Sequence, residues 1–457
     1  MELHERFGVK NLDLVYKDKI KNKTGKGVDG VNDQLFLEDL TQTLSRIETK
    51  VLSGKYRFTP YMEALKSKGR SKQPRIISKP TIRDKLTLST LKDCLQDRYP
   101  ESVDRKLPNT YVREIRQFIE SNSVADLYFF KLDIKAFYDN IDRDILFDKL
   151  KVKVCEDELL TLIRRAIINL TVPKGYKKKK SYDFRTEKGV PQGLSISNIL
   201  ASIYLHEFDQ QFIGGSTQYY RYVDDILVIA KKEEIQKIKT KVLKALNDLK
   251  LETNDKTEEG ALVQGFDYLG YNVSPPQISV RESSVDRFIE SLVGMFTELN
   301  YGASRWQKNS KWLGPKEIEV IFIQKLNEKI TGSLSDNKRY GWLFYFIEIN
   351  DMHLLHKLDA IMLSQFNKSK FFNGKQPKSV KSLVKSYYEA RFNTLGGYIH
   401  NYSDYDTVIK KMDYLVMLGI ISRHDRSSFS ENEVERMFHR VKSKNLMKLE
   451  ADIGNVS

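Results

Sequence analysis

The sequence predicts an α+β fold in which helices pack on one face of an antiparallel sheet, followed by a long helical region. Three observations carry this reading. The run Leu127 to Ile134 is apolar on both faces, as a central strand is. Tyr222-Val223-Asp224-Asp225 stands between two strand-like runs, Thr217 to Arg221 and Ile226 to Ala230, and so falls at the tip of a hairpin. From about residue 283 onward the apolar residues recur at helical spacing, in clusters at Phe288 to Phe296, Ile318 to Leu326, Trp342 to Ile349 and Leu354 to Phe366.

In chain order, residues 1 to about 60 read as short helices around a Gly-rich turn, Gly25 to Gly30, with Leu35, Leu37, Leu40 and Leu44 supplying an apolar face. Residues 61 to 90 read as strand-like and basic, broken at Lys66 to Lys72, and a helical stretch leads into the central strand that ends at Asp133. Helical spacing resumes at Ile145, Leu146 and Leu150 and across Leu159 to Leu170, before a basic loop from Lys174 to Lys180. Gly189-Val190-Pro191-Gln192-Gly193 opens a helix of small residues from Ser195 to Phe212. After the acidic hairpin, Ile235, Ile238, Val242, Leu246 and Leu249 mark one face of an amphipathic helix. Strand signals return at Phe266 to Val273 and Ile278 to Val280. Ser364 to Val380, rich in Lys, Ser and Asn, reads as a linker to a small helical module of about eighty residues.

A chain of 457 residues accommodates two or three domains. Its 76 Lys and Arg against 61 Asp and Glu leave a net charge of +15, which suits a polyanionic partner. The basic residues are spread along the whole length among 24 Tyr and 23 Phe, a pattern that favours nucleic acid over a membrane surface. Cys94 and Cys155 are far apart and lack ligand-spaced neighbours, which argues against a zinc site or a disulfide framework. With no signal-peptide pattern at Met1 to Arg6 and no apolar run of membrane-spanning length, the expectation is a cytoplasmic protein with no membrane partner.

Two carboxylates on a tight turn between apolar strands repel each other and resist burial, and a hard divalent cation such as Mg²⁺ offsets that cost. By itself an Asp-Asp pair is an ordinary acidic turn. Asp133, however, closes a buried strand ninety-one positions before Asp224, and an antiparallel sheet can set the two elements side by side. Three clustered carboxylates can hold two ions roughly 4 Å apart, as nucleotidyl transfer requires.

The segments Lys131-Leu132-Asp133-Ile134-Lys135-Ala136-Phe137-Tyr138-Asp139-Asn140-Ile141, Gly189 to Gly193, Tyr222 to Asp225, Lys256-Thr257 and Phe266 to Tyr271 resemble, in order, the palm motifs of reverse transcriptases, and are most similar to the prokaryotic enzymes of the group II intron type. The resemblance extends upstream to Gly27-Val28-Asp29-Gly30 and Lys72 to Asp84, similar to the family's fingers, and downstream to Arg339 to Phe346, similar to its thumb. It implies a right-hand polymerase: N-terminal segment and fingers over 1–126, palm over 127–282 with a fingers insertion at about 151–190, helical thumb over 283–368, and a C-terminal helical extension over 369–457.

The resemblance also assigns roles. Asp133 and Asp224 would coordinate two Mg²⁺ ions, with Mn²⁺ as a substitute, assisted by the carbonyl of Ile134, while Asp225 completes the negative field. Tyr138 would exclude a ribose 2′-hydroxyl and so select dNTPs, with Ala136 and Phe137 beside it in the nucleotide site. Gln192 would contact the nucleotide and template, Lys72 and Arg75 would grip the triphosphate, and Lys256 would protonate departing pyrophosphate. Tyr268, Leu269 and Gly270 would form the primer grip, with an exposed turn at Gly270. Taken singly, Asp133 also reads as a strand-end cap, Tyr138 as a core aromatic, Gln192 as part of a helix start and Lys256 as a solvated lysine.

No nuclease or integrase signature follows the thumb. The outline is similar to the antiphage defence-associated reverse transcriptases of unknown group, which often work with a noncoding RNA encoded alongside. That resemblance implies a structured RNA template, a DNA product, and a homo-oligomer or partner protein. The alternative is a maturase that acts mainly by binding and folding a group II intron RNA. Asn393 to Ile421 carries a faint winged-helix pattern, although a plain helical packing module fits it better.

Overall fold

The computed structural model describes residues 2–21, 25–67, 73–103, 105–176, 184–215, 217–254, 257–309 and 312–454, without the side chains of 303–309. The chain divides into two compact units, one built from Met1–Arg105 and Asp126–Ala261 and the other from Lys106–Ala125 and 262–456.

The first unit is organised by a four-stranded sheet in the order Gln218–Tyr222, Asp225–Lys231, Leu127–Asp133, Glu258–Ala261, with antiparallel neighbours throughout. Ile226 to Ala230 are fully buried, which is why the central strand reads as an unbroken apolar run rather than an alternating one. The helix Lys232–Asp248 packs on the two central strands with Ile235, Val242 and Leu246 inward. A smaller sheet pairs Tyr61–Lys66 antiparallel to Arg75–Lys79 and parallel to Thr171–Val172.

Two local expectations change here. The strand-like reading of residues 61 to 90 ends at Lys79, because the Thr81 hydroxyl accepts from Asp84 N at 3.2 Å and starts the helix Ile82–Arg98. A capped first turn overrides the β-propensity of Thr81-Ile82. Leu35 and Leu37 are exposed, and the N-terminal apolar face is made instead by Phe36, Leu44, Ile47 and Val51. The stretch Lys177 to Lys180 of the basic loop lies outside the described residues.

In the second unit, Phe266–Tyr268, Tyr271–Ser274 and Gln277–Val280 form an antiparallel meander. The helices are Pro108–Ser121, Glu282–Asn309, Pro315–Thr331, Trp342–Tyr345, Met352–Lys368, Leu383–Phe392, Val408–Met417 and Glu431–Ala451. The reading of Ser364 to Val380 as a linker holds only in part: 364–368 complete the helix Met352–Lys368 and 369–380 are irregular, but Phe366 and Phe372 are buried against Phe322. Two buried aromatic rings outweigh a polar surrounding composition.

The last part of the chain shares this core instead of forming a separate module. Glu328, 3% exposed, accepts from the Tyr402 hydroxyl at 2.9 Å, the Tyr414 hydroxyl at 3.1 Å and the Gln324 amide at 2.8 Å. His400-Asn401 adds a short parallel strand beside Ser333–Ser335. Val408–Met417 and Glu431–Ala451 then pack as a helical pair over Tyr402, Tyr414 and Phe438, so the plain helical reading describes this region better than a winged helix. Among the described residues, no helix is long and apolar enough to cross a membrane.

Asp84 is the polar anchor of the first unit. Fully buried, it accepts from the Tyr56 hydroxyl at 2.7 Å, Thr59 N at 2.8 Å and the Arg83 guanidinium at 2.8 Å. Asp84→Ala orphans these donors at once and is expected to lower stability by about 3 kcal/mol, read as a shift in denaturant midpoint.

Candidate active site

Antiparallel pairing of Leu127–Asp133 with Asp225–Lys231 puts Asp133 directly opposite Asp225. One position further, Ile134 N donates to Asp224 O at 3.0 Å. Ninety-one residues of sequence separation thus collapse to a single cross-strand step, and three acids meet at one end of the sheet. Like charges placed opposite each other in a ladder destabilise it, so the arrangement needs a compensating partner.

Asp133 is also held from its other side. Asn254 N donates to Asp133 O at 2.8 Å, and the Asn254 side-chain amide bonds the Asp133 carboxylate. The Ile134 side chain is buried in the core, leaving only its backbone for the site.

Asp224 sits in a two-residue turn closed by the Tyr222 and Asp225 pair. The turn requires Val223 at φ 57°, a left-handed conformation that a β-branched residue strongly resists. Arg221 restrains it: one guanidinium nitrogen donates to Val223 O at 2.9 Å, while Nε donates to Asp209 Oδ1 at 2.7 Å. Tyr219 adds a hydroxyl bond to the same Asp209 oxygen at 2.7 Å. The helix Ser197–Gln210 therefore anchors the acidic turn through its penultimate residue.

A second strained residue follows Asp133. Ala136 lies at φ 45° and ψ 47° and starts the short helix Phe137–Asn140. Phe137 turns into the core at 2% exposure, so its side chain is not a lining group of the site. Tyr138 is half-buried and donates its hydroxyl to Asn198 Oδ1 at 2.9 Å. Burial, and then the charge of Asp224, push the Tyr138 phenol up to about 12, against the opposing pull of Arg221 and Arg75. The phenol consequently stays neutral near pH 7, and its ring acts as a wall beside Asp224.

Gly189 to Gly193 is wedged between this helix and the strand Arg75–Lys79. Val190 N donates to Tyr138 O at 2.7 Å, and Ser78 N donates to Gln192 O at 2.7 Å. Gly189 has φ 85°, and a Cβ there would lie 2.7 Å from Asp139 O. Gly193 has φ 95°, and a Cβ there would meet Ile77 Cγ2 at 2.5 Å. Both glycines are required by close approach as well as by backbone conformation. The Gln192 amide donates to the Asp139 carboxylate at 3.2 Å, a partner absent from the sequence reading.

The remaining candidates separate. Lys72 and Lys256 lie outside the described residues. Tyr268, Leu269 and Gly270 belong to the second unit and are buried, where the sequence suggested an exposed turn at Gly270. The reason is local: Leu269 O accepts from the Tyr345 hydroxyl at 3.0 Å and Gly270 O from Arg281 N at 2.9 Å, which ties the turn to its own unit.

Four contributors escaped the sequence reading: Arg221, Asp209, Asn198 and Asn254. Arg221 adjoins the acidic motif and could have been suspected as its counter-charge. The others have no local pattern, since their relevance arises only from tertiary approach. Among the described residues, no three His, Cys, Asp or Glu side chains form a ready-made cage for an ion. What the sheet end offers is carboxylate oxygen from Asp133, Asp224 and Asp225, a donor set that fits a hard divalent cation.

Acids on adjoining central strands, an aromatic wall beside them and a Gly-flanked loop wedged against a basic strand are the parts of a polymerase palm. Residues 65–273 match the family described as reverse transcriptase (RNA-dependent DNA polymerase), and the chain carries a reverse transcriptase domain over that span. Similar proteins include the uncharacterized 91 kDa protein in the cob intron of Schizosaccharomyces pombe, 27% identical over 47% of this chain and 26% of its own length. Protein YkfC of Escherichia coli is 23% identical over 54% of this chain and 75% of its own length, and the group II intron-encoded protein LtrA of Lactococcus lactis subsp. cremoris is 27% identical over 43% and 32%. The chain thus spans about a quarter to a third of two of these relatives and three quarters of the other. Among solved structures, telomerase from Candida albicans with a fragment of telomeric RNA has a TM-score of 0.42 at 14% identity, covering 92% of this chain and 67% of that one. Apo telomerase from Candida tropicalis gives 0.39 at 13%, covering 100% and 87%.

Arg221 and Asp209 are both largely buried, with side chains 12% and 15% exposed. Arg221→Ala leaves Asp209 uncompensated and the Val223 turn unrestrained, and is expected to cost about 3 kcal/mol, measured by chemical denaturation.

Proposed function

We propose that the protein is an RNA-directed DNA polymerase that extends a primer with dNTPs. The observation that carries this reading is the Asp133 and Asp225 cross-strand pair with Asp224 on the adjoining turn, within the segment matched by the reverse transcriptase family. A binding protein has no need of clustered like charges at a sheet end.

In this reaction the primer 3′-hydroxyl oxygen attacks the α-phosphorus of the incoming nucleotide. The new phosphodiester forms as the bond to pyrophosphate breaks, and the hydroxyl proton passes to solvent water. Asp133 and Asp224 would hold two Mg²⁺ ions, assisted by the Ile134 carbonyl and by the charge of Asp225. When bound, the ions acidify the hydroxyl and neutralise the leaving group. The chain supplies the remainder. Tyr138, fixed by Asn198, would block a 2′-hydroxyl; Arg75, electrostatically coupled to Tyr138, would grip the triphosphate with Lys72; Lys256 would protonate pyrophosphate. Gln192 would reach the nucleotide by exchanging its bond to Asp139, and the turn at Tyr268 to Gly270 would support the primer through its backbone.

The net charge of +15 suits a structured noncoding RNA as partner, and the resemblance in outline to antiphage defence-associated reverse transcriptases supports a role in bacterial antiphage defence. The similarity to LtrA supports a second reading, a maturase-like RNA chaperone in which polymerisation is subsidiary. Sequencing the RNA that co-purifies with the protein separates the two: a short noncoding RNA supports the first, and intron sequence the second.

Asp133→Asn and Asp224→Asn should each lower dNTP incorporation on a primed RNA template by on the order of a hundredfold or more, and incorporation equal to wild type would refute the polymerase assignment. Tyr138→Ala should raise rNTP use relative to dNTP use, and an unchanged ratio in competition assays would remove Tyr138 from that role.

A further inference from the structure

Leu383–Phe392 carries an exposed aromatic ledge. Tyr388 and Phe392, four residues apart on one helix face, are 49% and 74% exposed, and their rings stack at 6.4 Å and 21°. Leu395, in the following turn, is 84% exposed. Apolar rings left in water in this way mark an interaction surface when they cluster.

The charges around the ledge indicate the partner. Residues 368 to 398 contain six Lys and one Arg against a single acid, Glu389, and the Glu389 carboxylate is already engaged by the Asn393 amide at 2.8 Å. Cations stand nearby: Arg391, bonded to the Tyr387 hydroxyl, lies 5.8 Å from the Phe392 centroid, Lys385 stands three residues before Tyr388 on the same helix, and Lys381 and Lys385 each lie 4.7 Å from the centroid of a separate ring, Tyr398. Stacked aromatic faces interleaved with cations are what a single strand needs, with unpaired bases on the rings and phosphates on the Lys and Arg. A protein-docking patch would not require so one-sided a charge, and a duplex would hide the base faces.

We propose that Tyr388 and Phe392, with Lys385 and Arg391 on the same helix, form a stacking platform for single-stranded RNA, separate from the acidic site. This rests on and deepens the proposed RNA dependence by giving it a second contact, and it does not depend on catalysis. Neither ring is buried in the fold, so truncating both leaves the core intact.

The test uses the full chain and a fluorescein-labelled 20-nucleotide single-stranded RNA, with DNA of the same sequence in parallel, read by anisotropy at fixed salt. Tyr388→Ala combined with Phe392→Ala should weaken RNA binding about tenfold or more, while Phe392→Trp retains it and the melting temperature stays at the wild-type value. Loss of RNA binding, with or without loss of DNA binding, supports the platform. Unchanged affinity for RNA overturns it, as does a change from oligomer to monomer in the double variant by light scattering, which would make the ledge a contact between copies. Failure of the polymerase reading is recognised independently, as absence of dNTP incorporation by the wild type.

Discussion

The pairing of Asp133 with Asp225 is the constraint around which the first unit is built. Strand register is strongly specified wherever strand side chains are packed in a core, because a slip of one residue sends every side chain to the opposite face. Here the buried run Ile226 to Ala230 supplies that specificity, so apolar packing over five residues forces two acids into opposition at the end of the ladder. The hydrophobic effect acts as the clamp, and the electrostatic cost concentrates where chemistry can use it. Asn254 on one flank bonds the Asp133 carboxylate, and on the other the Arg221 and Asp209 pair restrains the turn that carries Asp224.

Two of the strained backbone positions lie at the site itself. Ala136 and Val223 both hold left-handed conformations, and each lies within three residues of an acid of the site. Such positions cost on the order of 1–3 kcal/mol and persist only where surrounding contacts over-determine them. At Val223 the over-determination is visible as the Arg221 bond to its carbonyl; at Ala136 it is the pair of amides, from Asp139 and Asn140, that donate to the Ala136 carbonyl.

What was legible in the sequence follows from which signals are local. The two central strands and the helix Lys232–Asp248 declare themselves by apolar pattern, and Asp133, Asp224 and Asp225 by their position at strand ends. The start of Ile82–Arg98 was misplaced because its deciding feature is one hydroxyl cap amid β-branched neighbours. Ser364 to Val380 misled because composition averages over a window, while Phe366 and Phe372 act singly. Asp209, Asn198 and Asn254 were invisible since an Asp or Asn on an ordinary helix or loop acquires meaning only through a partner far away in sequence. Gln192 was named for one contact and makes another, to Asp139, for the same reason.

The helix Pro108–Ser121 belongs to the second unit although chain of the first unit lies on both sides of it. Arg113 and Arg116 on this helix pair with Glu348, which is 4% exposed, the first through Nε at 2.8 Å and the second at 3.1 Å. During synthesis, all of the first unit's described chain has been made by residue 261, whereas the helix at 108–121 must wait for more than two hundred further residues before its acidic partner exists. The order of translation therefore separates the two halves in time: the acid-bearing sheet can close early, and the second unit is sealed only when late-made chain returns to an early-made helix.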